Sequence, residues 1–186
     1  DILDLGSYKF AQHYGQNDVE GFNYESAKLQ ALRSSLQVPY HKNIYTVLNK
    51  MYENYLGGEF SKMWKQQKAE KVLDRFDLTI LLLAYQQTKG EYVMQKEYYQ
   101  EFANGTYRKK LGKFSVKYNL LVMDEFQNYL PEQLKIMKGC INKRLESVVY
   151  VGDLAQQTRL GTIRAWDDIG ESVQAERLVV LQKVFR

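Results

Sequence analysis

Cysteine is nearly absent from this sequence: Cys140 is the only one among 186 residues. The chain can therefore build no internal disulfide framework, and a lone thiol suits a reducing, cytoplasmic setting. Proline occurs twice and glycine twelve times, which excludes collagen-like and low-complexity classes. Long apolar runs are missing as well. The longest, Ile80-Leu81-Leu82-Leu83-Ala84-Tyr85, falls far short of the roughly 20 residues that a bilayer span needs, so no membrane partner is expected. The first residues, Asp1-Ile2-Leu3-Asp4, lack the basic segment of a signal peptide. They also lack an initiator Met, as expected of a piece of a longer polypeptide. Only His13 and His41 are histidines; neither has Cys or His neighbours at ligand spacing, so no zinc site is expected. No G-x-x-x-x-G-K-[ST] phosphate cradle occurs, and the sole Gly-Lys pair is Gly112-Lys113.

The remainder is ordinary for a globular domain, with 45% hydrophobic and 26% charged residues. At this length the expectation is one domain, or one domain with an appendage. The net charge of +4 is unevenly placed. Residues 119–186 are neutral, whereas residues 1–118 hold the whole excess. Its densest stretch is Arg108, Lys109, Lys110, Lys113 and Lys117, with no acid between Thr106 and Tyr118. Such a stripe suits a polyanion partner on one face; on charge alone, a solvated lysine-rich surface is the simpler account.

The two halves differ in pattern. Over residues 24–103 apolar positions recur at three and four, as in Leu29, Leu32 and Leu36, and in Ile44, Val47, Leu48 and Met51. Asp77 is expected to cap a helix that Gly90 ends, and residues 92–102 read as a further helix before the Asn104-Gly105 turn. Later the period changes. Phe114, Val116 and Tyr118 alternate with polar residues, as a strand does. Three short apolar runs follow, Leu120-Leu121-Val122-Met123, Val148-Val149-Tyr150-Val151 and Leu178-Val179-Val180-Leu181. Between the first two, Pro131 opens a helix whose face holds Leu134, Met137, Ile141 and Leu145; a short helix is expected at residues 163–169. Strands alternating with helices predict an α/β fold with a parallel sheet, its strands covered on both faces.

In such sheets chemistry gathers at the carboxyl tips of strands. The first run leads into Asp124-Glu125-Phe126-Gln127-Asn128 and the second into Gly152-Asp153-Leu154-Ala155-Gln156, while the third leads to Arg186. An aspartate at a tip can hold Mg²⁺. A neighbouring glutamate can polarise a water. A glutamine and an arginine can reach a γ-phosphate. Asp124, Glu125, Gln156 and Arg186 on one rim form a phosphoryl-transfer layout. Each alone also fits a strand meeting solvent or a turn. Tyr and Phe beside lysines, as at Tyr52 and at Phe60 to Lys68, fit either stacking platforms or the core of a helical unit. Trp166 and Cys140 read as packing residues.

Residues 121–128 resemble motif II, the Walker B box, of superfamily 1 helicases of the UvrD/Rep/PcrA type, and the chain looks closest to their HelD-like branch. Residues 151–156 resemble motif III, residues 181–186 the start of motif IV, and Gly6-Ser7-Tyr8-Lys9-Phe10 faintly motif Ib. The resemblance implies a partial RecA-like (P-loop NTPase) sheet with a mainly helical inserted subdomain. Residues 1–23 would be the edge of the motor domain, residues 24–105 the insertion, and residues 106–186 the motor segment. It implies an internal segment of an ATP-dependent DNA helicase, with ATP and Mg²⁺ as cofactors of the intact protein. Asp124 would serve Mg²⁺, Glu125 would be the general base, and Gln156 and Arg186 would meet the γ-phosphate. Gln127, Gly152 and Asp153 would support the nucleotide. Ser7, Tyr8, Lys9, Arg108, Lys109, Lys110, Lys113 and Arg159 would face DNA. Asn128 stands where the family closes motif II with Asp, and Arg159 stands near the position of its stacking aromatic. Without the phosphate cradle the segment alone is not expected to hydrolyse ATP. The alternative is a non-catalytic module that binds nucleic acid or RNA polymerase, or a helicase-like chain that has lost catalysis.

Overall fold

The structure, a computed structural model, describes residues 6–11, 23–34, 43–145 and 147–181. His13, His41 and Arg186 lie outside them. The described part is a mixed α/β arrangement of five α-helices and three two-stranded sheets. No described helix is long and apolar enough to cross a membrane.

The first half forms a helical unit. Helix α1 (Tyr24–Arg33) starts at Asn23, whose side chain accepts from the Ser26 amide at 2.7 Å. Helix α2 (Ile44–Tyr52) starts at Asn43 in the same way, accepting from Tyr45 N at 2.9 Å. Both asparagines satisfy amides that the first turn leaves unpaired. Helix α3 (Gly58–Glu70) ends at Lys71 in the left-handed region, and β2 (Val72–Leu73) leads directly into α4 (Arg75–Lys89). Short strand β1 (Lys9–Phe10) pairs in parallel with β2. The cap of α4 is Asp74, not Asp77: the Asp74 carboxylate accepts from the Phe76 and Asp77 amides, while Asp77, three residues on, returns the bond to the Asp74 amide. That reciprocal pair is a capping box.

The apolar faces of these helices close on Tyr24, Tyr52, Phe60, Trp64 and Phe76, all buried. These five aromatics are thus core and not stacking platforms. At their centre lies a fully buried lysine. Lys28 Nζ contacts Asp74 Oδ2 at 2.6 Å, both Asp77 oxygens at 2.9 Å and Gln67 Oε1 at 2.8 Å. Tyr52 and the Gln67 amide also donate to Asp77. The rings of Tyr24, Tyr52 and Trp64 surround the ammonium at 5.0–5.5 Å. A buried charge is tolerated only when paired and hydrogen-bonded; here every ammonium proton has an acceptor.

After α4 the expected helix at residues 92–102 is replaced by a ribbon. Strands β3 (Val93–Glu101) and β4 (Tyr107–Ser115) pair antiparallel along their whole length about the Asn104-Gly105 turn. Every residue of β3 is exposed, so no buried face was available to mark the strand by polar–apolar alternation.

The last unit holds β5 (Leu120–Met123), α5 (Pro131–Lys138) and β6 (Ser147–Tyr150). Strands β5 and β6 pair in parallel, with Leu121 opposite Val148 and Met123 opposite Tyr150. Those four side chains pack with Phe126, Leu134, Ile163 and Trp166. Trp166 stacks on Phe126 at 4.8 Å, a packing role as expected. The opposite face is bare: Leu120, Val122, Val149 and Val151 are 44–56% exposed. The expected cover on both faces is therefore absent among the described residues. Helix α5 stops at Lys138, so Leu145 does not extend its face and is exposed. Leu178-Val179-Val180-Leu181 forms no strand; it lies exposed, with Val179 and Leu181 at 85%. No described strand pairs with this run.

Lys28→Met should destabilise the chain by about 3–5 kcal/mol, because two carboxylates stay buried without their cation. Urea unfolding at pH 8 measures it, and the loss should shrink at pH 5, where a carboxylate can take up a proton. Burial and the Asp77 charge push the Asp74 carboxyl up to about 7, against the pull of Lys28. The unfolded value is about 3.9, so between those pH values the native state binds a proton that the unfolded chain does not. This group's contribution to stability thus falls as pH rises through that window. The drop in urea midpoint from pH 5 to pH 8 should be larger in the wild type than in Asp74→Asn.

Candidate nucleotide site at the strand tips

Parallel pairing in this register ends β5 and β6 side by side and sends both onward chains over the same edge. The Val151 amide donates to the Met123 carbonyl at 2.8 Å, and the Phe126 amide to the Val151 carbonyl at 3.1 Å. Between these bonds the chain turns sharply through Asp124 and Glu125. Glu125 adopts the left-handed region, φ 51° and ψ 40°. A glutamate there is uncommon and holds strain that its surroundings must maintain.

The side chains form one connected line along the edge. The Glu125 amide donates to Asp124 Oδ1 at 3.0 Å. Gln127 Nε2 donates to Glu125 Oε2 at 2.6 Å, and Gln127 Oε1 accepts from the Asp153 amide at 3.2 Å. Asp153 Oδ1 accepts from Ala155 N at 2.9 Å and Oδ2 from Gln156 Nε2 at 2.8 Å. These bonds, first that from the Ala155 amide and then that from Gln156, hold the exposed Asp153 carboxyl below its ordinary range. Gln127 is the buried member of the line, while Asp124, Glu125, Asp153 and Gln156 face solvent. Gly152 makes the line possible. A Cβ there would overlap the Gln127 Oε1 atom and stand 2.9 Å from the Phe126 ring.

The structure thus brings together Asp124, Glu125, Gln127, Gly152, Asp153 and Gln156. Arg159 follows on the same loop, exposed. That loop is fastened to the helical unit: Arg33 donates to the Gly161 carbonyl at 3.1 Å and Arg75 to the Leu160 carbonyl at 2.9 Å. Ser7, Tyr8 and Lys9 are placed elsewhere, on the helical unit, where Lys9 pairs with Val72 and the Tyr8 ring packs on Tyr45 at 5.6 Å. Arg108, Lys109, Lys110 and Lys113 stand on β4 of the ribbon.

Sequence reasoning gave Gln127 only a supporting role, yet it joins the two strand tips; the absence of a side chain at Gly152 was its one sequence signal. Arg33 and Arg75 were missed, since an arginine on a helix reads as a solvated one. For Mg²⁺ the donors fit as one half of a site. Asp124 is exposed, and among the described residues its only hydrogen bond is the one from the Glu125 amide; Mg²⁺ needs only one or two carboxylates beside phosphate oxygens and water. No described group of three His, Cys, Asp or Glu residues forms a closed metal cage. Cys140 sits in the turn after α5, half-buried, its thiol pushed up chiefly by burial, as befits a packing residue.

No protein-family model, no curated protein and no solved structure matches this chain.

Gly152→Ala should cost about 1–3 kcal/mol by forcing Gln127 from its place. Gln127→Ala removes the nearer of the two obstacles, so the double variant should lose less than the two single losses together. Thermal unfolding of the four proteins measures that coupling.

Proposed function

We propose that this chain supplies the hydrolytic strand tips of an ATP-dependent DNA helicase or translocase. The observation that carries the reading is the hydrogen-bonded line Glu125–Gln127–Asp153–Gln156, which joins the ends of two adjacent parallel strands. Carboxyl ends of parallel strands are where α/β sheets bind ligands. The resemblance of residues 121–128 and 151–156 to helicase motifs II and III supplies the roles.

Asp124 would hold Mg²⁺, which neutralises charge on the phosphates during phosphoryl transfer. Glu125, one residue on and turned by its left-handed backbone, would orient and deprotonate the attacking water. Gln156, resting on Asp153, would exchange that contact for the γ-phosphate and pass its presence into the 157–161 loop. Through Leu160 and Gly161 the loop reaches Arg75 and Arg33 on the helical unit. Arg186 would face the γ-phosphate. The bare face of Leu120, Val122, Val149 and Val151 suits a strand pair that continues into a wider, covered sheet.

A second reading, a non-catalytic module that binds nucleic acid or RNA polymerase, is favoured by one observation: this sequence holds no G-x-x-x-x-G-K-[ST] cradle. The 186-residue chain alone should accordingly release no phosphate from ATP, with or without single-stranded DNA.

Glu125→Gln in the full-length protein should separate the two. The helicase reading expects ATP turnover to fall about 10²–10⁴-fold while DNA binding by fluorescence anisotropy stays unchanged. Wild-type protein with no DNA-stimulated turnover would establish the second; a variant as active as the wild type would overturn the role given to Glu125.

A further inference from the structure

Side chains along a strand point alternately to opposite faces, so the ribbon sorts its charges in a way that the linear sequence hides. Register places Gln100 opposite Arg108, Tyr98 opposite Lys110, Lys96 opposite Gly112 and Met94 opposite Phe114. This face carries three cations and no carboxylate. The other face pairs Tyr99 with Lys109, Glu97 with Leu111 and Gln95 with Lys113; there Lys109 is bound to Glu97 at 2.6 Å. Lys96, Arg108 and Lys110 make no ion pair with any described residue. The guanidinium of Arg108 and the ammonium of Lys110 lie over the Phe102 ring at 5.2 and 5.5 Å.

The same face holds a pair of touching rings, while Tyr99 and Tyr107 lie on the other. Tyr98 and Phe114 meet edge to face at 5.7 Å. They meet over Gly112, where a Cβ would stand 2.8 Å from the Tyr98 ring and 2.9 Å from that of Phe114. Beside them opens a groove of about 410 Å³ whose walls include Met94, Lys96, Tyr98, Phe114, Lys117 and Tyr118. Glu97 also borders it, but its carboxylate is engaged with Lys109 on the far face.

We propose that this face of the ribbon binds single-stranded nucleic acid, with bases stacked against Tyr98, Phe114 and Tyr118 and the backbone running along Lys96, Arg108 and Lys110. It deepens the reading above by giving the nucleic-acid partner a site, on an element that holds none of the strand-tip residues. Cations beside exposed rings are what an unpaired strand requires: phosphates take the charge, and every base offers a flat face. An acidic peptide would use the charge and leave the rings idle.

The test is anisotropy of a fluorescein-labelled oligothymidylate against the full chain, without nucleotide, so its result is independent of ATP turnover. Tyr98→Leu and Phe114→Leu should each weaken binding about fivefold or more, and Tyr98→Phe should not. Arg108→Gln with Lys110→Gln should flatten the log-affinity against log-salt slope by about 1.4, at about 0.7 for each phosphate no longer neutralised. Lys109→Gln with Lys113→Gln removes equal charge from the other face and should change affinity less than about twofold. Equal losses from the two glutamine pairs, unaltered binding in the leucine variants, or equally tight binding of oligoglutamate would overturn the proposal. Should a leucine variant disturb the ribbon, the two glutamine pairs, all at exposed positions, still decide.

Discussion

An ammonium ion brought out of water loses several kcal/mol of hydration, and the helical unit is arranged around repaying that loss to Lys28. Helix α1 brings the lysine, α3 brings Gln67, and α4 brings Asp77 with its cap Asp74. Helix α2 closes the set with Tyr52, whose hydroxyl donates to Asp77. The two aspartates serve twice, since the bonds that begin α4 are made by the same carboxylates that hold the cation. The start of α4 and the packing of α1 are therefore one event. Burial, and then the charges of Asp77 and Asp74, keep the Tyr52 hydroxyl protonated, so it remains a donor over the ordinary pH range.

This rigidity matters because the strand-tip loop is built onto the unit. Gly161, at φ 75°, lies so close to Leu29 of α1 that a Cβ would stand 2.5 Å from it. Arg33 binds the Gly161 carbonyl and also Glu132 of α5, at 2.9 Å. Leu130, just before α5, is buried in the helical core. Strand tips, loop and helices thus share side chains, and a shift of Gln156 has a packed route to α1 and α4.

Legibility followed burial. Helices α1, α2 and α4 showed their period because one face of each is buried, and β5 and β6 showed as apolar runs that end in acids. The line from Glu125 to Gln156 was half visible: its members were named, but the bonds through Gln127 depend on a strand register that sequence does not print. Lys28 was invisible, since a lysine among helical residues reads as solvated until the helices meet around it. The ribbon was misread for a different reason. Met94, Tyr98 and Phe102 recur every fourth residue, a spacing that fits one face of a helix and one face of a strand alike. With neither face buried, nothing in the intervening residues separates the two periods.

The ribbon also shows why a count of charges along the chain misleads. Five cations between Arg108 and Lys117 read as one basic stripe, but in a strand consecutive residues face apart, and Lys109 and Lys113 share their side with Glu97 and Glu101. Only Arg108 and Lys110, joined by Lys96 from the opposite strand, make a surface free of carboxylates. A two-stranded ribbon alone is marginal in water, so its root has to be held. Tyr92 stacks on Tyr85 at 5.6 Å and donates to the Leu82 carbonyl, while Lys117 pairs with Glu91 at 3.0 Å and donates to the Gly139 carbonyl. The root is thereby pinned to α4 on one side and to the end of α5 on the other. Residues 116–119 then lead straight into β5 and Asp124. A strand bound at the proposed face would therefore sit on an element whose root is packed against α4 and α5, next in the chain to β5.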